Sequence, residues 1–221
     1  MKKLFFTPLA ICLLLLSSCE KNEDLLDSAN PSKDTTVADN KAKQIYSLNA
    51  ETSVAEWKGE GPGAAHTGSF AVISQNIEVV NGKIKNGTFI IPIASIKNFD
   101  LPEEVKPVLL EHLKSPDFFN IILHPEATFT FGKVTPLTKP VAGAVAGANY
   151  QITGDFILLG KTHSISFPAK INFAGSTLAV EAILKIDRTQ WGMNYAADPT
   201  LGEHHIYPEV DIHLKLSGQK Q

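Results

Sequence analysis

Ser164-Ile165-Ser166-Phe167-Pro168-Ala169-Lys170-Ile171-Asn172-Phe173 puts Ile165, Phe167, Ala169, Ile171 and Phe173 at every second position, with polar residues or proline between them. Side chains of an extended strand point alternately to opposite faces, so this spacing predicts a strand with one dry face. The neighbouring segments repeat the pattern. After the turn Ala174-Gly175-Ser176 come Leu178, Val180, Ala182, Leu184 and Ile186 on one face, against Glu181, Lys185 and Asp187. The chain ends on Val210, Ile212, Leu214 and Leu216 alternating with Asp211, His213, Lys215 and Ser217. Ala127, Phe129 and Phe131 open another run, and Ile152, Gly154, Phe156 and Leu158 a further one.

Asn81-Gly82 lies between Ile77-Glu78-Val79-Val80 and Lys83-Ile84-Lys85. That pair is a strong hairpin signal, because both central residues of a type I′ turn need positive φ. With Ile45 to Asn49, Val54 to Lys58 and Ser69 to Ser74, the chain carries at least eight short strands. Many short strands joined by turns mean a sandwich or a barrel. One segment differs: Val105, Val108, Leu109, His112 and Leu113 have helical spacing after Leu101-Pro102-Glu103-Glu104. Asp100 with Glu103 reads as a capping box that starts a helix over about 101–114, and Pro116 biases Ser115 away from helical angles. The apolar stripe of this helix is expected to cover one end or flank of the sheet.

Three blocks carry a family resemblance. They are His112-Leu113-Lys114-Ser115-Pro116-Asp117-Phe118-Phe119 with Pro125-Glu126-Ala127-Thr128-Phe129; Ile152-Thr153-Gly154-Asp155-Phe156-Ile157-Leu158-Leu159-Gly160-Lys161-Thr162; and Asp187-Arg188-Thr189-Gln190-Trp191-Gly192-Met193. In this order and spacing the chain resembles the YceI-like family of bacterial envelope proteins over about Tyr46 to Leu216. The resemblance implies an eight-stranded antiparallel, lipocalin-like barrel with an apolar cavity for an isoprenoid, a quinone-like lipid or another long-chain amphiphile, and no catalysis. Trp191 stands where the family more often has Phe, Lys139 to Ala148 has no counterpart, and His66-Thr67-Gly68-Ser69-Phe70 matches only loosely.

An eight-stranded barrel is wide enough either to be filled by side chains or to hold one small ligand. Two readings therefore stand: a lipid carrier, and a solid barrel that docks on an envelope partner. For the carrier, the expected wall is Phe129, Phe131, Phe156, Leu158, Phe167, Ile171, Val180 and Leu184, the apolar face of the central strands. Trp191 is expected either to line the cavity or to pack in the core, and Phe118 and Phe119 either to guard a mouth or to staple the helix. His66 and His112 are the candidates for a headgroup contact.

The amino terminus has its own message. Lys2 and Lys3 precede an apolar run from Leu4 to Leu16, too short for the about 20 residues of a membrane span and of the length of a signal-peptide core. Leu16-Ser17-Ser18-Cys19 then resembles a bacterial lipobox, so residues 1–18 are expected to be a lipoprotein signal peptide and Cys19 the acylated anchor, on the periplasmic side or at the outer membrane. Residues 19–43 are rich in Glu, Lys, Asn, Asp, Ser and Thr and cannot bury enough surface to order themselves; they read as a tether to a domain over 44–218. The only other cysteine, Cys12, falls inside the signal, leaving no disulfide or thiol chemistry in the mature chain. A formal charge of −3 gives no electrostatic footprint for nucleic acid. No metal site is expected: His204 and His205 are adjacent and, on a strand, would point to opposite faces. No catalytic residues are expected either, since the chain holds no Gly-x-Ser-x-Gly elbow and no Cys–His pairing.

Overall fold

A computed structural model of the chain describes residues 43–221; the signal, Cys19 and nearly all of the expected tether lie outside the described residues. Eleven strands follow in order: β1 (Lys43–Leu48), β2 (Val54–Glu60), β3 (Ala65–Ala71), β4 (Ile77–Val80), β5 (Lys83–Pro92), β6 (Lys97–Asn98), β7 (Glu126–Pro136), β8 (Tyr150–Leu158), β9 (Lys161–Ala174), β10 (Thr177–Asp187) and β11 (Glu209–Lys220). Helix α1 (Lys106–Lys114) lies between β6 and β7. All pairings are antiparallel, and β1, β4, β5, β7, β8, β9, β10 and β11 close into an eight-stranded barrel through β11 and β1.

The expected turns form as their chemistry requires. Asn81 and Gly82 take φ of 52° and 70°, and Gly175, at φ 61°, opens the β9–β10 turn. The third strand begins at Ala65, four residues before the expected Ser69, and ends at Ala71, because Ile73 leaves β3 to bridge Ile90 instead. The helix begins at Lys106 and has no side-chain cap. The capping box expected at Asp100 does not form, since that carboxylate accepts from the Thr67 amide at 2.7 Å and from Asn98 Nδ2 at 2.8 Å, and sits 2.8 Å from His66 Nδ1. These contacts, which the sequence spacing cannot show, hold Asp100 on β3 rather than on the helix. Burial alone would raise its pKa, but the hydrogen bonds outweigh it and bring the carboxyl down to about 2.

β11 changes partners along its length. It pairs with β10 throughout, while its other edge meets β2 over Val210 to Lys215 and β1 over Gly218 to Lys220. At the change, the Ser53 hydroxyl donates to the Ser217 carbonyl at 3.1 Å and accepts from the Ser217 amide at 3.0 Å, so the backbone groups of the switching strand stay paired although Ser53 is fully buried.

The two ends of the barrel are built differently. At the β1–β4 end, Tyr46, Ile77, Val79, Phe131, Ile152 and Leu178 are almost completely buried and fill the interior. Phe131 fits because glycines flank it: a Cβ on Gly87 would sit 2.9 Å from its ring, and one on Gly154 would sit 2.4 Å from the Thr130 carbonyl. At the opposite end two seams part. β9 pairs with β10 only from Ala169 onward, the residue after Pro168, which has no N–H to give a ladder. Likewise β3 meets β5 only through the Ile73–Ile90 bridge, with residues 93–98 wedged between them and β6 paired to β3. That end is splayed, and it is hollow.

Candidate ligand-binding cavity

A cavity of about 500 Å³ fills the splayed half. Pockets for one small ligand run from about 300 to 1,000 Å³. Its floor is aromatic, formed by Phe89 and Phe129, which pack on the buried Phe131 with ring centroids 5.2 and 5.8 Å away. Its walls are Phe156, Leu158, Ile165 and Phe167 on one side and Leu184, Ile212 and Leu214 on the other. Ala55, Trp57 and Gly59 alternate inward on β2; a Cβ added to Gly59 meets nothing within 4 Å, so the glycine leaves free space where another residue would project. Helix α1 roofs the cavity with Leu109 and Leu113, and Phe118 and Phe119 complete the roof. The rest of its apolar stripe does not bury: Val108 is 70 % exposed and no helix residue is fully buried.

The cavity reaches the surface between the β2–β3 turn and the segment around Glu203, because the exposed residues Gly63, Ala64, Glu203 and His204 line it together with the buried core. This rim is held by Arg188, which is 3 % exposed. Its guanidinium donates to four backbone carbonyls, those of Met193 (2.5 Å), Tyr195 (2.9 Å), Ile206 (2.9 Å) and Tyr207 (3.2 Å). Burial pushes its pKa down from the ordinary value, with the Asp187 charge acting the other way. These four bonds join the backbone of Met193 and Tyr195 to that of Ile206 and Tyr207, so Arg188 fastens the two rim loops to each other.

The sequence from Tyr46 in β1 to Ser217 in β11 matches the YceI-like domain over residues 46–217. The chain belongs to the YceI-like family. No curated protein matches it. Among solved structures, this YceI-like chain is similar to BcnA of Burkholderia cenocepacia, at 19 % identity and TM-score 0.58 over 77 % of this chain and 98 % of that one. It is also similar to a polyisoprenoid binding domain from Saccharophagus degradans implicated in plant cell wall breakdown, at 15 % identity and TM-score 0.59 over 80 % and 99 % of the two chains. Likeness at these identities shows the fold.

Within the YceI-like barrel, the expected wall residues divide. Phe129, Phe156, Leu158, Phe167 and Leu184 line the cavity, as do Phe118 and Phe119. Phe131, Ile171 and Val180 do not, since they lie on the same strand faces but in the filled half. Trp191 is 1 % exposed and sits behind the wall, its ring 5.3 Å from Phe156 and its Nε1 donating to the Phe156 carbonyl at 3.1 Å. It stands where β9 and β10 have parted. Of the two histidines, His66 is at the rim, and its Nδ1 is engaged by Asp100. His112 faces away, 3.0 Å from Asp117 and stacked edge-on against Phe118 and Tyr195. Among the described residues no group of three or more His, Cys, Asp or Glu is placed to hold a metal ion; His204 ends a 3-10 turn (Pro199–His204) rather than lying on a strand.

The sequence reading missed Trp57, Phe70, Phe89 and His205 as lining residues. The alternation Ala55, Trp57, Gly59 was there to be read. His205 gave no signal, because it reaches the cavity from an irregular segment.

Proposed function

We propose that this chain is a bacterial envelope lipoprotein, held at the membrane through an acylated Cys19 and a flexible tether, whose barrel takes one isoprenoid-like or quinone-like long-chain lipid in its cavity. No bond is made or broken; the protein sequesters or carries. The observation that carries this reading is the apolar chamber of about 500 Å³ occupying half of the barrel, where a solid docking barrel would have side chains. Its walls offer burial worth about 0.8 kcal/mol per methylene without polar recognition along the tail. The name of the Saccharophagus degradans neighbour, a polyisoprenoid binding domain, supports the same ligand class.

Native mass spectrometry of the purified protein, with extraction and identification of whatever dissociates, tests the reading. A stoichiometric long-chain lipid is expected. Gly59→Phe fills the chamber from a position where nothing opposes a side chain, so it is expected to empty the protein of lipid with little change in Tm. A clean mass that takes up no added isoprenoid overturns the carrier reading, and a Gly59→Phe variant that keeps its lipid overturns the chamber as the place where the lipid sits. For the anchor, Cys19→Ala should abolish fatty-acid labelling; labelling that persists removes Cys19 as the acceptor.

A further inference from the structure

The roof of the chamber is apolar on both sides. Leu109 and Leu113 of α1 face inward, while Val105, at the start of the helix, and Val108 stay exposed. A helix that covers a core normally keeps its outer face polar. The turn after the helix adds Leu123 and Ile122, the latter 89 % exposed, and Phe99 is exposed ahead of it. Among the described residues, the four most exposed large apolar side chains are therefore Phe99, Val108, Ile122 and Leu123, all between residues 99 and 123. Their backbone is pinned. The Ile121 amide donates to the Lys114 carbonyl at 3.0 Å, the Leu123 and His124 amides to the Asn120 carbonyl at 3.0 and 2.9 Å, and the Phe99 amide to the Thr67 carbonyl at 2.9 Å. Single exposed apolar residues are ordinary, whereas a cluster of them marks a contact surface. This cluster adjoins the doorway: Thr67 follows the rim residue His66, and His112 of α1 packs edge-on, 4.8 Å away, against Tyr195, whose carbonyl Arg188 holds.

We infer that this cluster docks the hollow end on a lipid bilayer, with Val108, Ile122 and Leu123 entering the apolar layer, so that cargo passes between membrane and chamber without crossing water. The inference rests on the anchored lipid-carrier reading above and adds a second, reversible membrane contact to the acyl chain. The position of the tether fits it. Lys43 pairs with Val80 beside the Asn81-Gly82 turn, so the tether leaves the filled end, away from the doorway. The 24 residues 19–42 reach at most about 80 Å, twice the about 40 Å of a 12-residue strand such as β11. An anchored barrel can therefore turn its hollow end to the same membrane. Charge decides the kind of contact. Between residues 97 and 124 three lysines stand against five carboxylates, so nothing there favours an anionic surface, and the contact works by apolar insertion into lipid of any head charge.

Single-cysteine labelling of the purified lipoprotein tests the docking, because Cys12 leaves with the signal and the acyl chain blocks Cys19. An environment-sensitive NBD probe is placed on Ile122→Cys at the hollow end and, in a separate variant, on Lys83→Cys beside the Asn81-Gly82 turn; both positions are exposed. In phosphatidylcholine vesicles the probe at 122 should shift to the blue and lose most of its emission to doxyl-labelled lipid, while the probe at 83 does neither. Ile122→Asp combined with Leu123→Asp, read by a probe on Val108→Cys, should cut the docked fraction at least about tenfold, the worth of one fully buried aliphatic side chain. The same pair should slow lipid uptake from donor vesicles without changing Tm or the load taken up from detergent-dispersed lipid. Three results overturn the docking and leave the lipid-carrier reading standing: no quenching at 122 in protein held on the vesicles, equal quenching at 122 and 83, or a blue shift at 122 without vesicles, as a second copy on the patch would give. If the unsubstituted protein takes the label at Cys19, or no form of the protein loads lipid, the reading above fails and this inference with it.

Discussion

The two halves of this barrel are made from the same strands and the same alternation, yet one is solid and the other hollow. β7 shows the contrast within two residues. Phe129 and Phe131 point to the same face and are 4 % and 2 % exposed, but Phe129 borders free space while Phe131 is clamped between β5 and β8 over Gly87 and Gly154. What separates them is the state of the seams. Around Phe131 the ring is unbroken, whereas around Phe129 the β9–β10 and β3–β5 seams have parted. Burial of a side chain thus says that it is inside, and only the strand pairing says whether the inside is full.

Substitutions can be chosen to break this contrast. Phe131→Ala should cost the most, about 3–5 kcal/mol, as truncations of fully packed aromatics do, with a large fall in Tm and an unchanged lipid load. If its cost were small, the filled half would not be the stabilising one. Leu184→Ala, on the cavity wall, should cost about 2 kcal/mol, the low end for its type, because part of the side chain already faces a void and lacks contacts to lose. Its lipid load should change where that of Phe131→Ala does not, and equal stability costs for the two would erase the distinction. The smallest effect is acidic. Asp100 has its carboxyl lowered from 3.8 to about 2, so its contribution is present above the unfolded value and is lost as pH falls through about 2. Hydrogen exchange on the acid side should therefore quicken first around residues 97–100 and β3, at the hollow end, with the filled end protected.

Much of the barrel could be read from the chain, because period two, Asn81-Gly82 and the 174–176 turn are local properties that the folded protein keeps. The helix was also legible in kind, though not in its start. Asp100 looked like a cap, but a contact 33 residues away in sequence, the Thr67 amide, claimed it. The division of the interior was harder. Phe129, Phe131, Phe167 and Ile171 are equivalent by alternation, and which of them meet a void depends on strand pairings that periodicity does not encode. One clue lay in plain view. Pro168, inside the most regular run of the sequence, marks the place beyond which β9 no longer pairs with β10.

The floor of stacked phenylalanines gives the chamber a direction. A tube stopped at one end by Phe89 and Phe129, with Phe131 packed behind them, and open at the other behaves as a socket, not as a tunnel. Whatever elongated molecule occupies it lies with one end against those rings and the other at the rim, and it must back out along the path by which it came. Loading and unloading then compete for a single doorway, so the socket must be emptied before it can be refilled.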